Sequence, residues 1–198
     1  MEHKSNDNKV SKVATDIEKK LIFERFLTYR RRMARLCAVQ GIYLYDADIA
    51  IKSVLEQNYS KIELNEKEII NRSNELGDAV LYFYRNVFFD KEYADNDEKR
   101  SKIDERYLRE ILQQVLSNLT EIDKTISKYL NERWTIDKIE MPIKAILRCG
   151  VSEVLYNIRT DIPILTSEYT NMTSCFFSGK QIGFVNGIVD KIAKMHRR

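Results

Sequence analysis

Turn-forming residues are scarce in this chain, which has six glycines and two prolines among 198 residues. A sandwich or barrel of many short strands needs such residues about every 8–12 positions. The composition therefore excludes a many-stranded protein and predicts one built from long helices. The length allows one large domain or two small ones, either of which can bury a core.

Long apolar segments are absent as well. The longest apolar run, Ala79–Tyr84, is far shorter than the roughly 18 residues that a membrane span requires. The N-terminal residues lack the apolar stretch of a secretory signal peptide. The three cysteines, Cys37, Cys149 and Cys175, are odd in number and widely spaced, which fits a reducing compartment better than a disulfide framework. We therefore expect a soluble, cytoplasmic protein with no membrane contact.

The residues on which many catalytic sites depend are also missing. His3 and His196 are the only histidines and lie near the ends of the chain. No Cys-x-x-Cys pair, P-loop or Gly-x-Gly-x-x-Gly motif occurs. The sequence therefore predicts a protein that is not an enzyme and holds no metal or cofactor.

The two signs of charge are nearly balanced, with 33 Lys and Arg against 30 Asp and Glu, so affinity for nucleic acid would require local clustering. Arg30, Arg31, Arg32 and Arg35 form such a cluster at the start of a helix predicted over Tyr29–Tyr45. A helix N-terminus carries partial positive charge, so arginines there oppose the helix dipole. Arginine also makes bidentate hydrogen bonds with phosphates and guanine edges. The cluster therefore favours anion binding over its alternative, a solvated surface.

A second basic patch precedes the last predicted helix, Phe184–Met195. Lys180 and Gln181 fall in a predicted loop directly before Phe184. Their ammonium group, amide and aromatic ring suit single-stranded RNA, whose bases can stack on a ring and be recognised at their edges. Phe184 alone could equally be a core residue. If the fold brings both patches together, they form one basic cleft.

Apolar spacing and capping signals predict the other helices. Asp46–Asp48 predicts a break, after which a short helix reaches about Gln57. The aromatic run Leu81–Tyr84 is interpreted as core rather than as a base-stacking platform, and residues 90–98 as an acidic loop. The remaining predicted helices run from the capping pair Asn65/Glu68 to Phe89, from Ser101/Asp104 to Leu130, from Ile136 to Leu155 with a break near Pro142, and from Thr166 to Phe177.

Three parts of the chain follow from this pattern. Residues 1–25 form a polar N-terminal arm, and residues 26–133 form an N-terminal helical subdomain with an insertion near 59–100. Residues 134–198 form a C-terminal helical subdomain, with the boundary at Trp134.

Several motifs together resemble the NusB family of bacterial transcription antitermination factors, most closely its alphaproteobacterial branch. They follow the family's order along the chain. The motifs are Arg31-Arg32-Met33-Ala34-Arg35 leading into Ala38-Val39-Gln40-Gly41-Ile42-Tyr43, Ala145-Ile146-Leu147-Arg148 continuing to Glu153-Val154-Leu155-Tyr156, Asp161-Ile162-Pro163, Ser167-Glu168-Tyr169, and Phe184-Val185-Asn186-Gly187-Ile188-Val189-Asp190.

The resemblance implies an all-α fold of two small helical bundles packed roughly crosswise. It also implies a protein that binds boxA-type single-stranded RNA together with NusE, a small-subunit ribosomal protein. In that family the pair acts within the RNA polymerase antitermination complex and promotes read-through of ribosomal RNA operons. The free protein is expected to be a monomer or a weak homodimer.

The family's site residues map onto matching positions of this sequence. The implied RNA-binding residues are Arg31, Arg32, Arg35, Gln40, Lys180, Gln181 and Phe184, with Arg30 added because it adjoins them. Tyr43 and Lys144 are the implied contacts to NusE.

Two alternatives remain at this stage. One is an RNA-binding domain related to that of RNA cytosine methyltransferases, which would need a catalytic domain beyond Arg198. The other is a purely structural helical adaptor whose arginines are a solvated face.

Overall fold

The computed structural model describes residues 3–56, 64–88, 103–131 and 134–197. Within these ranges the chain is helical and contains no strand, so the predicted all-α class is confirmed. No helix in the same ranges is long and apolar enough to span a membrane. The helices are α1 His3–Leu55, α2 Glu66–Phe83, α3 Glu105–Ser117, α4 Leu119–Ser127, α5 Met141–Tyr156, α6 Ile162–Phe176 and α7 Lys180–His196.

Helix α1 is continuous over 53 residues, so both its predicted start at Tyr29 and its predicted break at Asp46–Asp48 are wrong. The two aspartates do not end the helix because each is engaged by a distant cation. Buried Asp46 accepts hydrogen bonds from Arg148, and Asp48 pairs with Arg72 of α2. These tertiary contacts compensate for the low helix propensity of aspartate.

The capping box that starts α2 is confirmed. The Asn65 side chain accepts the backbone N–H of Glu68 at 3.0 Å, and the Glu68 carboxylate accepts that of Asn65 at 2.8 Å. The α-helix ends at Phe83 rather than Phe89, and a π-helical turn follows over Tyr84–Phe88.

The aromatic run at the end of α2 divides between core and surface. Leu81 and Tyr84 are buried, as the core interpretation expects. Tyr82 and Phe83 are 71% and 48% exposed, so for these two residues that interpretation is wrong.

The single helix predicted up to Leu130 is in fact two helices, because Asn118 separates α3 from α4. The Asn118 side chain donates to the carbonyl of Gln114 at 2.9 Å, a local bond that competes with helix continuation. Asp104 caps α3 by accepting the N–H of Tyr107. Its predicted partner Ser101 and the predicted acidic loop at 90–98 lie outside the described residues.

Both prolines occupy the first turns of helices, where their missing N–H is tolerated. A short 3-10 turn over Ile136–Lys138 precedes α5, which confirms the predicted break near Pro142. Helix α6 begins at Ile162, just before Pro163, and α7 begins at Lys180. Each therefore starts four residues earlier than predicted.

One continuous hydrophobic core joins these helices, and α5 lies at its centre. Residues from Ala145 to Val154 are buried around the whole circumference of α5, against α1, α3, α4, α6 and α7. Gly150 favours this close packing, since a Cβ there would lie 3.2 Å from the Tyr169 ring, a tight contact. The core fixes α1 and α7 against the same central helix, and these two helices carry the predicted site residues.

Candidate nucleic-acid interface

The arginine cluster lies in the interior of α1, because the helix begins at His3. These arginines therefore do not oppose the dipole at a helix N-terminus as predicted, since that effect is confined to the first turn. The burial and hydrogen-bond partners of each arginine side chain decide which of the four can contact an anion.

Arg35 does not reach the surface, so the structure does not place it among the accessible arginines that could contact RNA. Only 3% of its side chain is exposed, and its Nε donates to Glu153 of α5 at 2.7 Å. The terminal nitrogen Nη2 of Arg35 donates to the Tyr107 hydroxyl at 2.7 Å. Burial lowers the pKa of Arg35, but the adjacent Glu153 carboxylate offsets this and leaves the pKa raised.

Glu153 is the centre of a buried polar network that sequence reasoning missed. Its side chain is fully buried and accepts hydrogen bonds from Arg35, Tyr107, Tyr169 and Asn157. The network thereby joins α1, α3, α5 and α6. One sequence signal could have revealed it, because Glu153 falls at helical spacing on the apolar face of α5.

Arg32 is exposed yet held in a fixed orientation. Its side chain is 54% accessible, and its Nε and terminal nitrogen donate to the two oxygens of Glu168 on α6 at 3.0 and 2.7 Å. The hydrogen bond with Glu168 raises the pKa of Arg32. A preorganised guanidinium loses less conformational entropy when it binds a phosphate.

Arg31 and Arg30 lie over aromatic rings. The guanidinium carbon of Arg31 is 5.5 Å from the centre of the Tyr107 ring, and that of Arg30 is 5.5 Å from the Phe26 ring. Arg30 also donates to the carbonyl of Ile103 at 3.4 Å. Arg31 is exposed and Arg30 half-buried, so these two residues and Arg32 bring positive charge to the surface.

The remaining predicted residues on or beside α1 differ in accessibility. Gln40 is half-buried, and Tyr43 is 40% exposed. Lys144 is 16% exposed and pairs with Asp46 at 3.3 Å. Asp46 also binds Arg148, which bridges to Asp123 of α4. Tyr43 is therefore open to a partner, whereas Lys144 belongs mainly to this internal ion-pair network.

Lys180 and Gln181 lie in the first turn of α7, so their predicted placement in a loop is wrong. Lys180 is exposed and Gln181 half-buried. Gly179 provides the N-cap with a positive φ of 69° and makes no side-chain hydrogen bond to the first turn. Phe184 is half-buried, and its ring centre is 6.4 Å from that of Trp134.

Helix α6 connects the two basic patches. Its Glu168 binds Arg32 of α1, and the Thr170 hydroxyl donates to Asn186 of α7 at 3.1 Å. In the described part of the chain, no hydrogen bond or ion pair joins Arg31 or Arg32 directly to Lys180 or Gln181. The two patches therefore share α6 as a scaffold.

Comparisons with known proteins agree with this architecture. A family model described as the NusB family matches residues 32–194. The transcription antitermination protein NusB of Sphingopyxis alaskensis is 29% identical over 170 residues, covering 85% of this chain and 95% of that protein. The protein of the same name from Caulobacter vibrioides is 30% identical over 166 residues, covering 83% of this chain and 92% of that protein.

Two solved structures share the fold. T. maritima NusB aligns with a TM-score of 0.55 at 21% identity, covering 85% of this chain and 93% of that chain. A crystal structure of antitermination factors NusB and NusE in complex with dsRNA aligns with a TM-score of 0.54 at 20% identity, covering 84% of this chain and 97% of that chain.

Proposed function

Because the chain belongs to the NusB family, we propose that it is a non-catalytic transcription antitermination factor that binds boxA-type single-stranded RNA together with NusE. In this role it promotes read-through of ribosomal RNA operons as part of the RNA polymerase antitermination complex. Acting on nascent RNA, it works in the cytoplasm. The observation that carries the proposal is the pair Arg31 and Arg32, two exposed guanidinium groups oriented by Tyr107 and Glu168.

Arg31 and Arg32 supply salt-dependent affinity by neutralising RNA phosphates. Each neutralised phosphate contributes about −0.7 to the slope of log K against log salt for a single strand. Lys180 adds positive charge at the N-terminus of α7, and Gln181 offers an amide to a base edge. Phe184 contributes less stacking than a fully exposed ring, because it packs beside Trp134.

NusE binds the exposed face of α1 near Tyr43, separate from the buried network that contains Lys144. The RNA and NusE would each raise the affinity of the protein for the other by the same factor, since coupling between two binding sites is reciprocal. The predicted N-terminal subdomain, residues 26–133, would supply residues 26–55 of α1 to both partners, and the predicted C-terminal subdomain, residues 134–198, would supply α6 and α7. The free protein is a monomer or weak homodimer.

Neutralising Arg31 and Arg32 tests the proposed surface. We expect the double variant Arg31→Gln/Arg32→Gln to bind a boxA-like RNA at least about tenfold more weakly, with a salt slope about 1.4 units shallower. Fluorescence anisotropy at several salt concentrations measures both quantities. Glutamine is preferred to glutamate at position 32 because a second carboxylate would face Glu168, which is 7% exposed.

Arg106→Gln is the matched control, since Arg106 is 84% exposed on α3 and pairs with Glu110 in its own helix. It should bind RNA as the unaltered protein does. Unchanged RNA affinity in the double variant, with helicity preserved by circular dichroism, would favour the structural adaptor instead.

A further inference from the structure

The solvent-facing side of α1 continues beyond the segment that the family model matches, which begins at residue 32. Arg25, Tyr29 and Arg32 are separated by four and three residues, which places them on one face of a continuous helix. All three are exposed, with 41% of Tyr29 and 54% of the Arg32 side chain accessible. This face, which we term the arm strip (Arg25, Tyr29 and Arg32), spans about 10 Å along the helix axis.

Tyr29 is anchored at one side while its ring remains accessible. It shares a hydrogen bond with Tyr84, which is 6% exposed in the core beside α1. An anchored aromatic ring loses little further rotamer freedom when a base stacks on it. Exposed aromatic rings next to cationic side chains are the usual surface for single-stranded nucleic acid.

The charge of this part of α1 fits a polyanion better than a second copy of the same helix. Between Lys20 and Arg32 the sequence has five basic residues and one acidic residue. The acidic residue, Glu24, lies 4.0 Å from the Lys20 ammonium group and one turn away from it. Pairing two such helices would bring like charges together, whereas an RNA strand would neutralise them.

We propose that Arg25 and Tyr29 extend the RNA-binding surface, so that these two residues of the arm strip hold nucleotides flanking those bound at Arg31 and Arg32. Arg25 neutralises a phosphate, and Tyr29 stacks on a base. The inference rests on the proposed function, because the flanking nucleotides are positioned only if the adjacent RNA segment binds. It assigns an RNA-binding role to helical residues that precede the family match.

The test uses the full chain and three RNAs: a short boxA-like strand, the same strand with five uridines added at its 5′ end, and the same strand with five uridines added at its 3′ end. We expect the unaltered protein to bind one extended strand about tenfold more tightly than the short one. Tyr29→Ala should remove that gain and leave affinity for the short strand unchanged. Tyr29→Phe, which keeps the ring, should retain most of it, and Arg25→Gln should reduce the salt slope on the extended strand by about 0.7.

Tyr82→Ala is the matched control, because Tyr82 is an exposed tyrosine, 71% accessible, on α2 rather than on the arm strip. It should leave binding to all three strands unchanged. Equal affinity for short and extended strands, or an extension gain that survives Tyr29→Ala, would overturn the inference while leaving the proposed function intact. A change of oligomeric state in Tyr29→Ala with unchanged RNA affinity would likewise overturn it and assign the strip to protein contact. Failure of the unaltered protein to bind any of the three strands would instead refute the proposed function, and this inference with it.

Discussion

Removal of the Glu153 carboxylate should be among the most destabilising single changes in this protein. Glu153→Ala leaves the Arg35 guanidinium, 3% exposed, without its hydrogen-bonded counter-charge and deprives the Tyr107 and Tyr169 hydroxyls of their shared acceptor. Breaking a buried ion pair from one side destabilises by about 3–5 kcal/mol. Total stabilities of domains lie near 5–15 kcal/mol, so the change removes a large fraction.

Thermal and urea unfolding followed by circular dichroism measure this loss. For a chain of this size each kcal/mol lowers Tm by about 2–4 °C, so we expect a fall of about 6–20 °C. Glu110→Ala is the control, because its pair with Arg106 is exposed and lies within one helix. Exposed pairs of this kind contribute about 0–1 kcal/mol.

A second variant shows whether Glu153→Ala loses stability because a buried charge is left uncompensated or because side-chain packing is lost. Arg35→Met combined with Glu153→Met removes both charges and keeps apolar volume, so it should recover part of the stability lost in Glu153→Ala. A fall in Tm for Glu153→Ala as small as that for Glu110→Ala would refute the buried-network reasoning.

Two further predictions concern the cysteines and the C-terminus. Burial raises the pKa of Cys37 to about 12 and also raises that of Cys149, whereas Cys175 is exposed. A thiol reagent at pH 8 should therefore label one thiol in the native protein and three after unfolding. Rapid labelling of a second thiol in the native protein would contradict this. Arg197 donates to the carbonyls of Glu153, Val154 and Thr160 at 2.6–2.7 Å and so caps the end of α5. Arg197→Ala should lower the free energy of unfolding by about 1–3 kcal/mol, and lysine at this position should not restore that stability. The exposed control Lys194→Ala should change the free energy of unfolding by less than about 0.5 kcal/mol. Equal effects of Arg197→Ala and Lys194→Ala in urea titrations would refute the capping role.

Local signals in the sequence predicted much of the fold. The all-α class, the capping box at Asn65 and the break near Pro142 are confirmed, because each depends on residues a few positions apart. The family resemblance read from the motifs is confirmed as well. The division into subdomains at Trp134 remains a prediction.

Two of the errors arise where distant residues decide the local structure. Asp46 is predicted to break the helix because aspartate has a low helix propensity. Its partner Arg148 lies 102 positions away and stabilises it within α1. Arg35 has the same residue type and neighbourhood as Arg31, yet it is buried because Glu153, 118 positions away, faces it. No local sequence pattern distinguishes buried Arg35 from exposed Arg31. The RNA-binding roles of Arg31 and Arg32 remain proposals.

The most direct test of the central claim is a titration of a boxA-like single strand and a scrambled strand of equal composition, with and without NusE, at two salt concentrations. The proposed function predicts tighter binding of the boxA-like strand, further tightened by NusE and weakened by salt with a slope of about −0.7 for each contacted phosphate. Equal affinity for the two strands, unaffected by NusE, would contradict it.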